Sequence, residues 1–144
     1  MKIQEIKFKN VNQNYSILVG KNTLNLLSKK INLICPKTKK IAIIFDKRIP
    51  TTYKKVILKR LKKYEIFTYN FNTSEKMKSM KIVTFLLNKM LSKKFNRSDL
   101  VLGVGGGIVG DLSGFVASIY KRGTNFINIP TTLLAQVDAS IGGK

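Results

Sequence analysis

Residues Val101 to Lys144 read VLGVGGGIVGDLSGFVASIYKRGTNFINIPTTLLAQVDASIGGK. The apolar run Leu100 to Val104 reads as a strand and runs into Gly103, Gly105, Gly106 and Gly107. Gly110 and Asp111 follow, and then apolar residues recur at helical spacing. Phe126 to Ile129 reads as a second short strand, and Pro130-Thr131-Thr132 opens another helix, Leu133 to Ile141. A strand that passes through glycines into a helix lets its backbone approach a phosphate closely. The helix start adds free N–H groups and the positive end of a dipole.

Upstream, Ile41 to Phe45 is the continuous run IAIIF, the pattern of a parallel strand covered on both faces, with Asp46 at its end. Pro50 opens a helix to about Lys63 with Val56, Leu58 and Leu61 inward. Ile66 to Phe71 is another strand. Ser74 is placed to cap a helix with Met77, Met80, Val83, Leu87 and Leu91 on one face. Asn96-Arg97-Ser98-Asp99 is a turn. Nearer the start, Lys2 to Phe8 and Tyr15 to Val19 read as two short strands joined by turn residues at Asn10 to Asn14. Thr23 caps a helix that buries Leu24, Leu27 and Ile31. From Lys39 onward strand and helix alternate four times. That order predicts an α/β fold: an open, mainly parallel, Rossmann-like sheet with helices on both faces. Residues 1–144 read as one domain.

The formal net charge is +20, with no histidine and one cysteine, Cys35. Residues 105–144 contribute +1 of it, from Lys121, Arg122 and Lys144 against Asp111 and Asp138, leaving +19 for residues 1–104. That excess is spread over nearly every polar position and is not interleaved with aromatic residues. It reads as solvated lysine faces, and nucleic acid is not the expected partner. A lone cysteine forms no internal disulfide and suits a reducing compartment. No apolar run approaches the roughly 18 residues of a membrane span, and the start lacks a signal-peptide core. A cytoplasmic, soluble protein is expected.

A parallel sheet binds its ligands outside the carboxyl ends of its strands. Asp46, the glycine loop and Thr131-Thr132 all fall there. Gly105-x-Gly107-x-x-Gly110 matches the dinucleotide fingerprint, but the acidic residue about 20 positions further on is missing. Asp46 is the better candidate for a ribose contact. Asp111, one turn into the helix after the loop, suits either the helix dipole or a ligand. Thr131 and Thr132 suit helix capping, ligand contact or both. Asp138, inside a largely apolar helix, is expected to be paired or aimed at a ligand.

Taken together, GGGIVGDLSGFVASIYKRG and NIPTTLLAQVDASIGGK resemble the N-terminal half of the 3-dehydroquinate synthase family of sugar-phosphate cyclases. Ser74-Glu75-Lys76-Met77-Lys78-Ser79-Met80 is similar to a second family segment, with serine and methionine where glycine and leucine are usual. The resemblance implies NAD as cofactor. It implies that Asp46, Glu75 and Lys78 hold the adenosine and ribose, and that Gly106, Gly107 and Asp111 surround the pyrophosphate and nicotinamide ribose. Thr131 and Thr132 would make further cofactor contacts. Asp138, Arg122 and Lys144 would line the reaction centre, with Lys144 also touching the cofactor. The implied enzyme is a lyase acting on a phosphorylated keto acid, 3-deoxy-D-arabino-heptulosonate 7-phosphate. It forms 3-dehydroquinate and phosphate in the shikimate pathway of aromatic amino acid biosynthesis. A homodimer and a divalent metal, zinc or cobalt, are implied for the full-length family.

The family's metal ligands, a glutamate and two histidines, lie in a C-terminal helical domain. These 144 residues contain no histidine. The metal set is therefore expected to be missing here, and the chain alone is expected to be inactive and weakly stable. The alternatives are another sugar-phosphate cyclase, a polyol dehydrogenase of the iron-dependent superfamily, or a basic nucleic-acid-binding module.

Overall fold

The computed structural model describes residues 2–9 and 14–140. Two antiparallel strands, β1 (Gln4–Lys9) and β2 (Asn14–Val19), form a separate ribbon in which Phe8 stacks on Tyr15. The turn expected at Asn10 to Asn14 lies, apart from Asn14, outside the described residues. A 3₁₀ turn at Thr23–Leu26 leads into α1 (Leu27–Ile34), then β3 (Lys40–Asp46), α2 (Thr51–Arg60) and β4 (Glu65–Phe71). After a 3₁₀ turn at Glu75–Met77 come α3 (Met80–Ser92), β5 (Leu100–Gly105), α4 (Gly107–Ile119) and β6 (Asn125–Pro130). A π-helical turn, Ala135–Ala139, follows β6.

β3 to β6 make one parallel sheet in the order β4-β3-β5-β6. The expected α/β fold with helices on both faces is therefore present. Side chains alternate between two cores, as the period of a strand requires. Ala42, Ile44 and Val101 face α3 and α4, with Val83, Leu86, Met90, Val109 and Val116. Ile41, Ile43, Phe45, Leu100, Leu102 and Val104 face α1 and α2, with Leu27, Ile31, Ile57 and Leu61. The connection from β3 to β4 steps one way along the sheet. Those from β4 to β5 and from β5 to β6 step the other way. Right-handed crossovers then place α2 on one face and α3 and α4 on the other. The direction reverses between β3 and β5, so the loops leaving their carboxyl ends diverge and open a crevice.

Helix α4 lies unusually close to the sheet. A Cβ on Gly103 would stand 2.9 Å from the Cβ of Ser113, and one on Gly110 would stand 3.1 Å from Nδ2 of Asn128. A Cβ on Gly105 would meet Val109 at 2.7 Å. These glycines are needed for contact between helix and strand, as in a dinucleotide-binding turn.

The amino ends of the strands are tied by Asp99, which is 1% exposed. Its Oδ1 accepts the N–H groups of Lys39 (3.0 Å) and Lys40 (2.9 Å), and its Oδ2 accepts that of Asn96 (2.7 Å). Thr38 donates to the carbonyl of Ser98, and Thr124 donates to that of Asp99. The residues read as a turn thus form a clamp across β3, β5 and β6.

Three sequence expectations are corrected. Ser74 does not cap the long helix. It precedes the 3₁₀ turn, and α3 begins after Ser79, so the inward set becomes Val83, Leu86 and Met90 while Met80 and Leu91 are exposed. In α2, Ile57 and Leu61 are buried and Val56 is exposed, because the helix turns a different residue of the run VIL toward β3. Thr23 caps no α-helix. It starts the 3₁₀ turn, which follows Asn22 in the left-handed region.

Candidate functional site

The crevice between the ends of β3 and β5 contains a cavity of about 540 Å³, in the usual range for ligand sites. Asp46, Arg48, Thr73, Glu75, Lys78, Gly106, Gly107, Asp111, Thr132 and Asp138 are among the residues that line it. Eight residues singled out in the sequence therefore converge on one cavity, although they span 93 positions of chain from Asp46 to Asp138. Arg48 and Thr73 were not among them. The short spacing from Asp46 to Arg48 was the available signal, since an aspartate commonly accepts the N–H two residues on.

Asp46 ends β3 and is 5% exposed. Its Oδ1 accepts Arg48 N (2.9 Å) and Arg48 Nε (3.1 Å), and its Oδ2 accepts Arg48 Nη2 (2.7 Å) and Thr73 Oγ1 (2.6 Å). The Arg48 guanidinium also donates to Thr73. Burial pushes the Asp46 carboxyl up. The hydrogen bonds from the Arg48 side chain, from Thr73 and from the Arg48 N–H, with the Arg48 charge, outweigh burial and hold it down at about 2. It is an anion at neutral pH.

Lys78 stands between two carboxylates, with Nζ 3.6 Å from Glu75 Oε2 and 3.6 Å from Asp111 Oδ2. It links the 3₁₀ turn after β4 to the first turns of α4. Gly106 is the residue before α4, and no side chain caps that helix. Its first-turn N–H groups are thus open to an anion in the cavity. On the opposite wall a Cβ at Gly106 would lie 3.4 Å from Cγ2 of Thr132, and one at Gly107 would lie 3.3 Å from Cβ of Ala139. Any side chain on these two glycines would narrow the passage in front of the amides.

Thr132 caps the segment after β6, its Oγ1 accepting Ala135 N at 3.2 Å. Thr131 donates its N–H to the carbonyl of Gly105 at 2.9 Å, and its side chain does not line the cavity. Asp138 is exposed and lines the cavity, so of the two alternatives for it, pairing or facing a ligand, its position suits the second. The segment follows β6 at the carboxyl end of the sheet, and among the described residues nothing covers Leu133, Leu134 and Val137, which are exposed beside it. Arg122 is not brought to the cavity. It follows the far end of α4, roughly 20 Å from Gly107 at the helical rise per residue. There Lys121 and Arg122 take positive φ values of 47° and 66°. Lys144 lies outside the described residues. Among the described residues no group of three or more His, Cys, Asp or Glu is placed to hold a metal ion. None of their helices is long and apolar enough to cross a membrane.

The fold is shared with sugar-phosphate cyclases. 2-Deoxy-scyllo-inosose synthase, solved with carbaglucose-6-phosphate, NAD+ and Co2+, matches over 96% of this chain and 38% of its own, with a TM-score of 0.79 and 23% identity. A 2-epi-5-epi-valiolone synthase from Streptomyces hygroscopicus subsp. jinggangensis 5008, with NAD+ and Zn2+ bound, matches over 81% of this chain and 33% of its own, with a TM-score of 0.67 and 28% identity. Those likenesses show the α/β fold that such synthases share. The chain belongs to the 3-dehydroquinate synthase family, whose N-terminal sequence profile matches residues 68–144. The 3-dehydroquinate synthase of Pelagibacter ubique is 44% identical over all 144 residues, which cover 39% of that relative. The chain thus spans about two fifths of the length of a curated relative that it matches along its whole length.

Proposed function

We propose that this chain is the NAD-binding part of a 3-dehydroquinate synthase, a lyase that converts a phosphorylated seven-carbon keto acid to 3-dehydroquinate and phosphate. The observation that carries the reading is the cavity at the reversal of strand order, which gathers Asp46, Glu75, Lys78, Gly106, Gly107, Asp111 and Thr132. The residues fit a dinucleotide. Carboxylates at Asp46 and Glu75 suit ribose hydroxyls as acceptors. The uncapped start of α4 offers backbone donors to a pyrophosphate, and the glycines keep the approach to it open. Asp111, held beside Lys78, is placed to accept from the second ribose, and Thr132 faces it across the glycines. Bound NAD would supply reversible hydride acceptance from a substrate hydroxyl. We assign Asp138 and Lys144 to the substrate side, the lysine for an anionic group of the substrate, and leave Arg122, at the far end of α4, outside that assignment. The divalent metal, zinc or cobalt, finds no ligand set among the described residues. The shikimate pathway, a cytoplasmic location and a homodimer belong to the same proposal.

Calorimetric titration of the folded chain with NAD tests it. Saturable binding that weakens by about tenfold or more in Asp111→Ala is expected, the scale of losing a hydrogen bond to a charged group. A chain with native circular dichroism that binds no NAD would overturn it. So would retention on DNA that is abolished by salt while NAD leaves the protein unaffected.

A further inference from the structure

The Asp46 carboxylate has no acceptor position to spare. An ionised carboxylate offers about four lone-pair sites. Arg48 N, Arg48 Nε, Arg48 Nη2 and Thr73 Oγ1 occupy them, at 2.9, 3.1, 2.7 and 2.6 Å. A ribose hydroxyl reaches Asp46 only by displacing one of these donors. The displaceable one is the Arg48 guanidinium, whose side chain is 72% exposed against 7% for that of Asp46. Arg48 lines the same cavity. Its bonds to Asp46 and Thr73 use Nε and Nη2, which leaves both Nη1 N–H groups without a protein acceptor among the described residues.

At the ribose end of a dinucleotide cleft, a bare carboxylate selects the 2′-hydroxyl and repels a 2′-phosphate. An arginine there does the reverse, because its planar fork matches phosphate oxygens. This chain places both groups two residues apart, already paired. We propose that Arg48 is a specificity-determining residue that lets the ribose end of the cleft take a 2′-phosphorylated dinucleotide as well as the unphosphorylated one. The pairing cancels the negative charge that would exclude the phosphate, and the free edge of the guanidinium supplies donors for it. Thr73 holds Asp46 in place whichever partner Arg48 has. The inference rests on the reading of the cleft as a dinucleotide site, and its test separates the two.

NAD and NADP are titrated calorimetrically into the 144-residue chain and into Arg48→Thr and Arg48→Lys, each checked by circular dichroism. The original chain is expected to bind NADP within about tenfold of NAD. Arg48→Thr is expected to weaken NADP by about tenfold or more while NAD binds at least as tightly, since the freed Asp46 carboxylate can accept the 2′-hydroxyl, and Arg48→Lys falls between, since it keeps the charge but loses the fork. If NAD binds, but NADP is more than about a hundredfold weaker in the original chain, or Arg48→Thr shifts both equally, the inference fails and the cleft reading stands. If the folded chain binds neither dinucleotide, both fail.

Discussion

Removing the carboxylate of Asp99 is the sharpest test of how the cleft is held at the correct end of the sheet. Asp99 sits just before β5 and accepts three backbone N–H groups, two from the start of β3 and one from its own turn, at 2.7–3.0 Å. Hydrogen bonds to a charged group contribute about 1.5–3 kcal/mol each. Lys39 and Asn96 lie near solvent, so water can recover part of what their N–H groups lose. The three bonds also share one side chain and do not add fully. Asp99→Ala is therefore expected to cost about 3–5 kcal/mol, a large share of the 5–15 kcal/mol typical of a whole domain. Asp99→Asn separates hydrogen bonding from general disturbance. Its amide oxygen can still accept from Lys39 and Lys40, but its NH₂ group faces the N–H of Asn96. A loss of about half that of alanine is expected. Urea denaturation followed by circular dichroism reads both, with the slope showing whether the unfolded state has changed. An alanine variant within about 1 kcal/mol of the original at unchanged slope would refute the reasoning. So would an asparagine variant no better than alanine.

Asp46 makes stability depend on acid. Its carboxyl titrates at about 2 in the folded chain against an ordinary 3.8. The stability this contributes, about 2 kcal/mol, is fully present above pH ~4 and is lost as pH falls through about 2. Urea midpoints between pH 5 and 2 should fall more steeply for the original chain than for Arg48→Thr, and parallel curves would show that the pair is not the cause. Gly105→Ala is expected to cost about 1–3 kcal/mol and to lower the thermal midpoint by several degrees, because the new methyl would stand 2.7 Å from both Cβ and Cγ2 of Val109. Val109→Ala in the same chain should not restore it, since the Cβ clash remains, and full recovery would count against this geometry.

The sheet was legible because its signals are local. IAIIF at Ile41–Phe45 and the glycine-ended run at Leu100–Gly105 are continuous apolar runs, and both are buried strands in the fold. Alternation with helical spacing then leaves few topologies. The cavity was legible to the extent that its residues sit at strand ends. Arg48 escaped because an arginine in a lysine-rich chain looks like solvated surface until Asp46 is seen to be saturated by it. Asp99 escaped for a similar reason: Asn-Arg-Ser-Asp has turn chemistry, and only the parallel pairing of β3 with β5 brings the Lys39 and Lys40 amides to it. Asp138 was legible as a carboxylate in an apolar run, but periodicity shows an apolar face without showing whether anything covers it, and its exposure was not foreseen. The split before α3 turned on two serines, Ser74 and Ser79, either of which could precede a helix. The chain used the first for a 3₁₀ turn and the second for α3.

The glycine and serine contacts that seat α4 against β5 and β6 make the two sides of the cleft mechanically unlike. A Cβ at Gly103, Gly105 or Gly110 would crowd Ser113, Val109 or Asn128, so α4 seats on the sheet only because these positions carry no side chain, and that close packing aims its leading amides. Facing it are an exposed arginine on a loop and a π-helical turn whose neighbours Leu133, Leu134 and Val137 are exposed among the described residues. Adjustment to a ligand must come from that softer wall. Variation there can retune what is held, while variation along the α4 seam can only loosen the anvil against which it is held.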